Sequence, residues 1–294
     1  MSYVFLLLSA LLDALKSCLS KNLSRFSVNL RDSLILNLFR TLLCVVCGCV
    51  MVSLTSAGWP RPDKTFLMIS LLSGISMAVF MVSWLLSLRT GALMTLTVLG
   101  SASNLIPVVL TFVCFGEPIM PAHLLGLFLF LIASVLLCSY NKKLNGRMSP
   151  KAVLSLSLMF LSCGMTAFIQ KLFVYTVPEG NTAFFNLLTY AFASLILGII
   201  LTVTGKNGGA GHAGLLWRKS GRLIIIMSVS LFFVDFLRTR AAVHIPAGIL
   251  YPMSSGIVLF INQLYSIFVI KEKPAFRELA GILLALAGMI VINM

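Results

Sequence analysis

Apolar runs of about twenty residues dominate this 294-residue chain, with little between them. A helix needs ~20 mostly apolar residues to cross ~30 Å of hydrocarbon. By that measure the sequence holds ten spans: 3–20, 33–54, 66–88, 91–115, 121–140, 152–175, 183–204, 222–241, 246–270 and 274–293. The runs are continuous and lack period-two alternation, which predicts helices rather than a β-barrel. The expected fold class is therefore all-α and integral to a membrane, with ten transmembrane helices. The N-terminal run has no charged segment before it and no clear small-x-small cleavage site, so it is expected to stay as the first span.

Composition agrees. Apolar residues make up 59% of the chain and charged residues 10%, against about 45–50% and about 25% in soluble domains. Mean hydropathy is +1.05. Too little polar surface remains to coat a water-soluble particle. That excludes a cytosolic enzyme, a nucleic-acid-binding domain and a disordered chain. The net charge of +14 is read as topology, since cytoplasmic loops retain Lys and Arg.

Cys18, Cys44, Cys47, Cys49, Cys114, Cys138 and Cys163 all lie in or at the ends of apolar runs, where free Cys acts as a small apolar filler. The Cys44, Cys47, Cys49 spacing lacks the second ligand pair and nearby His that a zinc site requires. The loop 205–221, with Gly208, Gly209 and Gly211, is expected to be a flexible linker. No Gly-Lys-Ser/Thr follows it, so it is no phosphate cradle. His123, His212 and His244 are scattered, and no nucleophile–base arrangement stands out. No enzyme, metal, cofactor or nucleotide-driven pump is expected.

The chain repeats itself. Glu117 and Gly126 are nine apart, as are Glu272 and Gly281, and both members are offset by 155 (272 − 117; 281 − 126). Gly100-Ser101 lines up near Ser255-Gly256, and spans one and six end with Lys21 and Lys171. The division is into residues 1–145 and 146–294. Five spans is an odd number, so the second copy must insert upside down. Loops after the odd-numbered spans hold fifteen Lys and Arg. The alternate loops hold four: Arg61, Lys64, Arg238 and Arg240. Inverted repeats of this kind mark secondary transporters, with the site at the midplane between the halves. The same count places the termini outside the cytoplasm.

The run Ile245-Pro246-Ala247-Gly248-Ile249-Leu250-Tyr251, then Ser255-Gly256, Lys271-Glu272 and Ala287-Gly288-Met289-Ile290-Val291-Ile292-Asn293 resembles the small multidrug resistance family. Asp13, eight residues before Lys21, stands where that family carries an intramembrane Glu. The doubled length and the helix-ending Glu117 and Glu272 resemble the larger drug/metabolite transporters of the EamA type. The resemblance implies a ten-helix carrier of small organic solutes or ions in a bacterial cytoplasmic membrane, often exchanging protons, with termini inside. The chain departs from the small-family pattern in carrying Asp13 rather than Glu, Cys163 at the repeat position of Asp13, and Ser254 where an aromatic residue is expected.

A charge at a helix centre costs at least ~2.5–3.5 kcal/mol, so intramembrane polar residues face the bundle interior or a wet cavity. Asp13 is a proton- or cation-binding carboxylate, or is neutralised by Lys16 three residues on; the two together would suit a zwitterion. Arg40 is either a partner for an anionic group or an interfacial snorkel. Asp235 stands three before Arg238, which predicts a local ion pair. Lys171 is an interfacial anchor or a cavity residue. Asn104, Asn262 and Gln263 sit mid-span, where amides bind a ligand or glue helices. Trp84 and Tyr251 are candidate pocket walls. Pro107, Pro246 and Pro252 are expected to bend helices and release carbonyls. These readings describe a monomeric transporter of a small molecule, set in lipid and with proton coupling open. A lipid or headgroup flippase, or a non-transporting membrane subunit, are the alternatives.

Overall fold

The computed structural model describes residues 2–55, 59–90, 93–117, 121–122, 125–126, 128–129, 132–133, 136, 150–204, 210–271 and 276–292. Among these there is no strand. The helices are α1 (Ser2–Ser24), α2 (Leu30–Thr55), α3 (Lys64–Thr90), α4 (Leu93–Ala102), α5 (Leu105–Phe115), α6 (Pro150–Thr176), α7 (Thr182–Val203), α8 (Ala210–Ala242), α9 (Ala247–Tyr265) and α10 (Phe276–Ile292). A π-helical turn, Ser266–Ile270, extends α9. Among the described residues eight helical stretches are long and apolar enough to cross a membrane, and Leu279–Gly288 is a shorter apolar helix. The chain is an all-helical membrane protein. Most of the fifth expected span, the boundary near 145, His123, Cys138 and Glu272 lie outside the described residues.

Along α1, large apolar side chains turn outward and small polar ones inward. Leu7, Leu8, Leu11 and Leu15 of α1 are exposed, while Ser9, Ser17 and Ser20 are buried. Outward Leu suits hydrocarbon, and inward small residues let backbones approach closely. A Cβ at Gly74 of α3 would lie 2.6 Å from Phe192 Cβ and 2.9 Å from the Thr189 carbonyl oxygen of α7. α1 packs on α8, α3 on α6 and α7, α2 on α7 and α8, and α9 on α1 and α4. The largest apolar core joins α2, α3, α6, α7 and α8, with Phe173 stacked on Phe185 at 4.1 Å between ring centres.

Four expectations change. The fourth span is broken into α4 and α5 around Ser103 and Asn104. Pro107 has no N–H for the Ser103 carbonyl, which accepts from Ile106 N at 3.0 Å instead. Pro252, by contrast, sits inside a continuous α9, and Pro246 caps its start. Residues 210–221 are helix rather than linker, because Leu216 is buried and Trp217 packs on Phe39 at 5.2 Å between ring centres. Arg238 and Arg240 belong to α8, not to a loop, so both drop out of the loop charge count. α5 ends at Gly116, whose φ of 67° is the left-handed closure that glycine favours.

Candidate functional site

A cavity of about 110 Å³ opens among these helices, large enough for several waters or a small polar group. Its walls follow helical periodicity. α1 contributes Asp13, Lys16, Ser17 and Ser20, and α3 contributes Met77, Phe80, Met81 and Trp84. Thr97, Gly100, Ser101 and Asn104 come from the broken fourth span. Cys163, Thr166, Ala167 and Gln170 come from α6, and Tyr251, Ser254, Ser255 and Val258 from α9. Each set has the i, i+3, i+4, i+7 spacing of one helix face. α8 adds Leu231, Asp235 and Arg238, and α2 adds Arg40.

Asp13 is the electrostatic centre. Lys16 Nζ meets its Oδ1 at 2.6 Å, and Arg238 meets its Oδ2 at 2.7 Å. Arg238 also donates to Ser254 Oγ at 3.3 Å. The i, i+3 pairing with Lys16 is as expected. The Arg238 partner is not: Arg238 reaches α1 rather than pairing with Asp235 on its own helix. Asp235 instead accepts from Gln170 Nε2 at 3.2 Å and from the Tyr190 hydroxyl. Arg40 is buried rather than snorkelled, 3% exposed, and donates to Asn37 Oδ1 at 3.0 Å.

Asn104 spans two roles. It lines the cavity while donating to the Tyr251 carbonyl oxygen at 3.2 Å and to Ser255 Oγ. The Tyr251 hydroxyl donates to the Ala167 carbonyl oxygen at 2.6 Å. Trp84 packs on Phe80, 5.9 Å between ring centres, as part of the apolar wall.

Three expected site residues lie off the cavity lining. Lys171 Nζ donates to the Ala242 and Ile245 carbonyl oxygens at 2.9 and 2.8 Å and pairs with Glu117 Oε1 at 3.2 Å. Glu117 Oε2 in turn accepts from Ala247 N at 2.9 Å, at the positive N-terminus of α9. Lys171 is thus a fastener between α6, the end of α8 and the start of α9. Asn262 Oδ1 accepts from Cys18 Sγ at 3.3 Å, tying α9 to α1. Gln263 Nε2 donates to Thr97 Oγ1 at 3.4 Å, tying α9 to α4. Both amides act as glue.

Sequence reasoning missed Arg238 and Tyr190 as site residues, and it weighed Gln170, which lines the cavity, only beside Lys171 as an anchor or cavity residue. Arg238 had a usable signal: it lies seven residues from Leu231 and three from Asp235, on one face of α8. Tyr190 carried none, because neutral polar residues are common in buried membrane helices. Among the described residues no cluster of His, Cys, Asp or Glu could hold a metal ion.

No family model and no curated protein matches the chain. A solved crystal structure matches 97% of this chain and 98% of its own, with a TM-score of 0.62 and 14% sequence identity. A likeness at that identity shows a shared fold alone.

Proposed function

We propose that the chain is a secondary active transporter that carries a small organic solute by alternating access, built as two inverted five-helix repeats in the drug/metabolite transporter manner. The observation that carries this reading is a charged cavity enclosed by membrane helices, whose two sides are related by fixed offsets. Asp13, Lys16, Ser17 and Ser20 map onto Cys163, Thr166, Ala167 and Gln170 by adding 150. Thr97, Gly100, Ser101 and Asn104 map onto Tyr251, Ser254, Ser255 and Val258 by adding 154. Met77, Met81 and Trp84 map onto Leu231, Asp235 and Arg238 by the same 154. Packing supports the same exchange: α1 lies on α8 as α6 lies on α3. A site straddling two such halves can open to either side when one half rocks against the other.

Proton coupling would run through Asp13. A proton there would free Lys16 and Arg238 and loosen α1 from α8, so the ion triad is a switch between the cavity's states. An apolar wall on α3 and a polar wall on α1 and α8 suit a small amphipathic metabolite, an amino acid or a drug-like solute. A flippase of the same architecture would instead move lipid headgroups. The test is uptake from a metabolite mixture into proteoliposomes, with and without a pH gradient, for the natural protein and Asp13→Asn. Uptake that responds to the gradient in the natural protein and is lost in the variant supports the reading. Absence of uptake of any solute, with lipid scrambling instead, would favour the flippase.

A further inference from the structure

Buried charge in a membrane protein is nearly always matched, so an unmatched group points to something that completes it. Arg40 is one such group. It is 3% exposed and lines the cavity; among the described residues it donates only to the neutral amide of Asn37, and its Nε has no partner. Four other described carboxylates are engaged elsewhere. Asp13 has both oxygens taken by Lys16 and Arg238. Asp32 and Asp63 accept backbone N–H groups at the starts of α2 and α3, and Glu117 holds Lys171.

A group of opposite need faces the same space. Asp235, 5% exposed, meets only neutral donors, Gln170 and Tyr190. Gln170 is 3% exposed, and its Oε1 has no partner. One cavity therefore presents a guanidinium short of an acceptor and a carboxylate–amide pair short of a cationic donor. Met77, Phe80 and Trp84 form an apolar wall beside them.

We infer that the cavity binds a small zwitterionic amino carboxylate, its carboxylate on Arg40, its ammonium between Asp235 and Gln170 Oε1, and its apolar part against the α3 wall. This rests on the transport reading for its purpose but not for its chemistry. A planar guanidinium presents a fork that fits a carboxylate with two parallel hydrogen bonds. A solute lacking either head would leave one buried charge unanswered, which a site built around hydrogen bonds rejects strongly.

The probes are phenylalanine, leucine and methionine, with phenethylamine and 3-phenylpropionate as one-headed controls. Binding is read as thermal stabilisation of the purified protein in nanodiscs. At least one amino acid should stabilise the natural protein, and both controls should bind at least about tenfold more weakly than phenylalanine. Arg40→Gln should erase the preference for phenylalanine over phenethylamine, and Asp235→Asn the preference over 3-phenylpropionate. Arg40→Lys, which keeps the charge, should retain the preference. It separates loss of recognition from loss of fold. The inference is overturned if no amino acid binds, if a one-headed control binds as tightly as phenylalanine, or if Arg40→Gln binds and still discriminates. Uptake of other solutes without amino-acid binding would leave transport standing and remove this site. Amino-acid binding without any uptake would do the reverse.

Discussion

Lys171 gives the sharpest test of packing, because its ammonium makes three polar contacts, lies over the Tyr175 ring at 5.2 Å and is not part of the cavity lining. Lys171→Met keeps most of the apolar stem and removes all of these contacts. The lysine side chain is 4% exposed and its Glu117 partner 11%, so solvent screens the pair little. Breaking a buried pair by removing one partner costs about 3–5 kcal/mol. Glu117 keeps the Ala247 N–H and the Tyr175 hydroxyl as donors, which places the expected loss near the lower end, about 3 kcal/mol. The assay is reversible unfolding in mixed micelles with increasing denaturing detergent, for the natural protein, Lys171→Met, Glu117→Gln and the double variant. The double variant should cost less than the two singles added, by about 1 kcal/mol or more, as contacting residues do. Transport by the folded fraction should keep its KM. A loss below about 1 kcal/mol would match an exposed ion pair and refute the fastener.

Other expectations follow from the same geometry. Gly74→Val should lower stability by about 1–3 kcal/mol or more, because the obstacle is the α7 backbone at Thr189; unchanged unfolding would contradict the α3–α7 contact. Tyr190→Phe removes a hydroxyl donor from the buried Asp235 carboxylate and should cost about 1.5–3 kcal/mol, measured in the same titration. Asn262→Leu, which loses only the Cys18 contact, should cost about 0.6 kcal/mol, typical of a membrane hydrogen bond, and leave KM for the transported solute unchanged. A rise in KM would return Asn262 to the site.

That the chain is built of apolar membrane-length helices was legible because hydrocarbon thickness sets a length that sequence displays directly. The Asp13–Lys16 pair was legible because three residues is less than one turn. The long-range partners were not. Arg238 meets Asp13 across 225 residues, and spacing within α8 pointed to Asp235 instead. Local pairing lost because Asp235 is turned toward Tyr190 on α7 and Gln170 on α6. Gln263 and Asn262 face neighbouring helices rather than the cavity, since the cavity face of α9 runs through Tyr251, Ser254, Ser255 and Val258. Helix phase decides that, and a run of uniformly apolar residues carries almost no phase. The cavity lining on α1, α3, α4, α6 and α9 was not visible, because its Ser, Thr, Met and Cys residues gain meaning only once a cavity selects them.

Cys163 provides the most direct test of alternating access. It lines the cavity on α6 and can be left as the single cysteine of a functional variant. Labelling with a membrane-impermeant thiol reagent is measured from each face of oriented proteoliposomes during solute exchange. The account predicts modification from both faces, each suppressed by transported solute. Modification confined to one face under every condition would mean a cavity that never alternates, and would contradict the account.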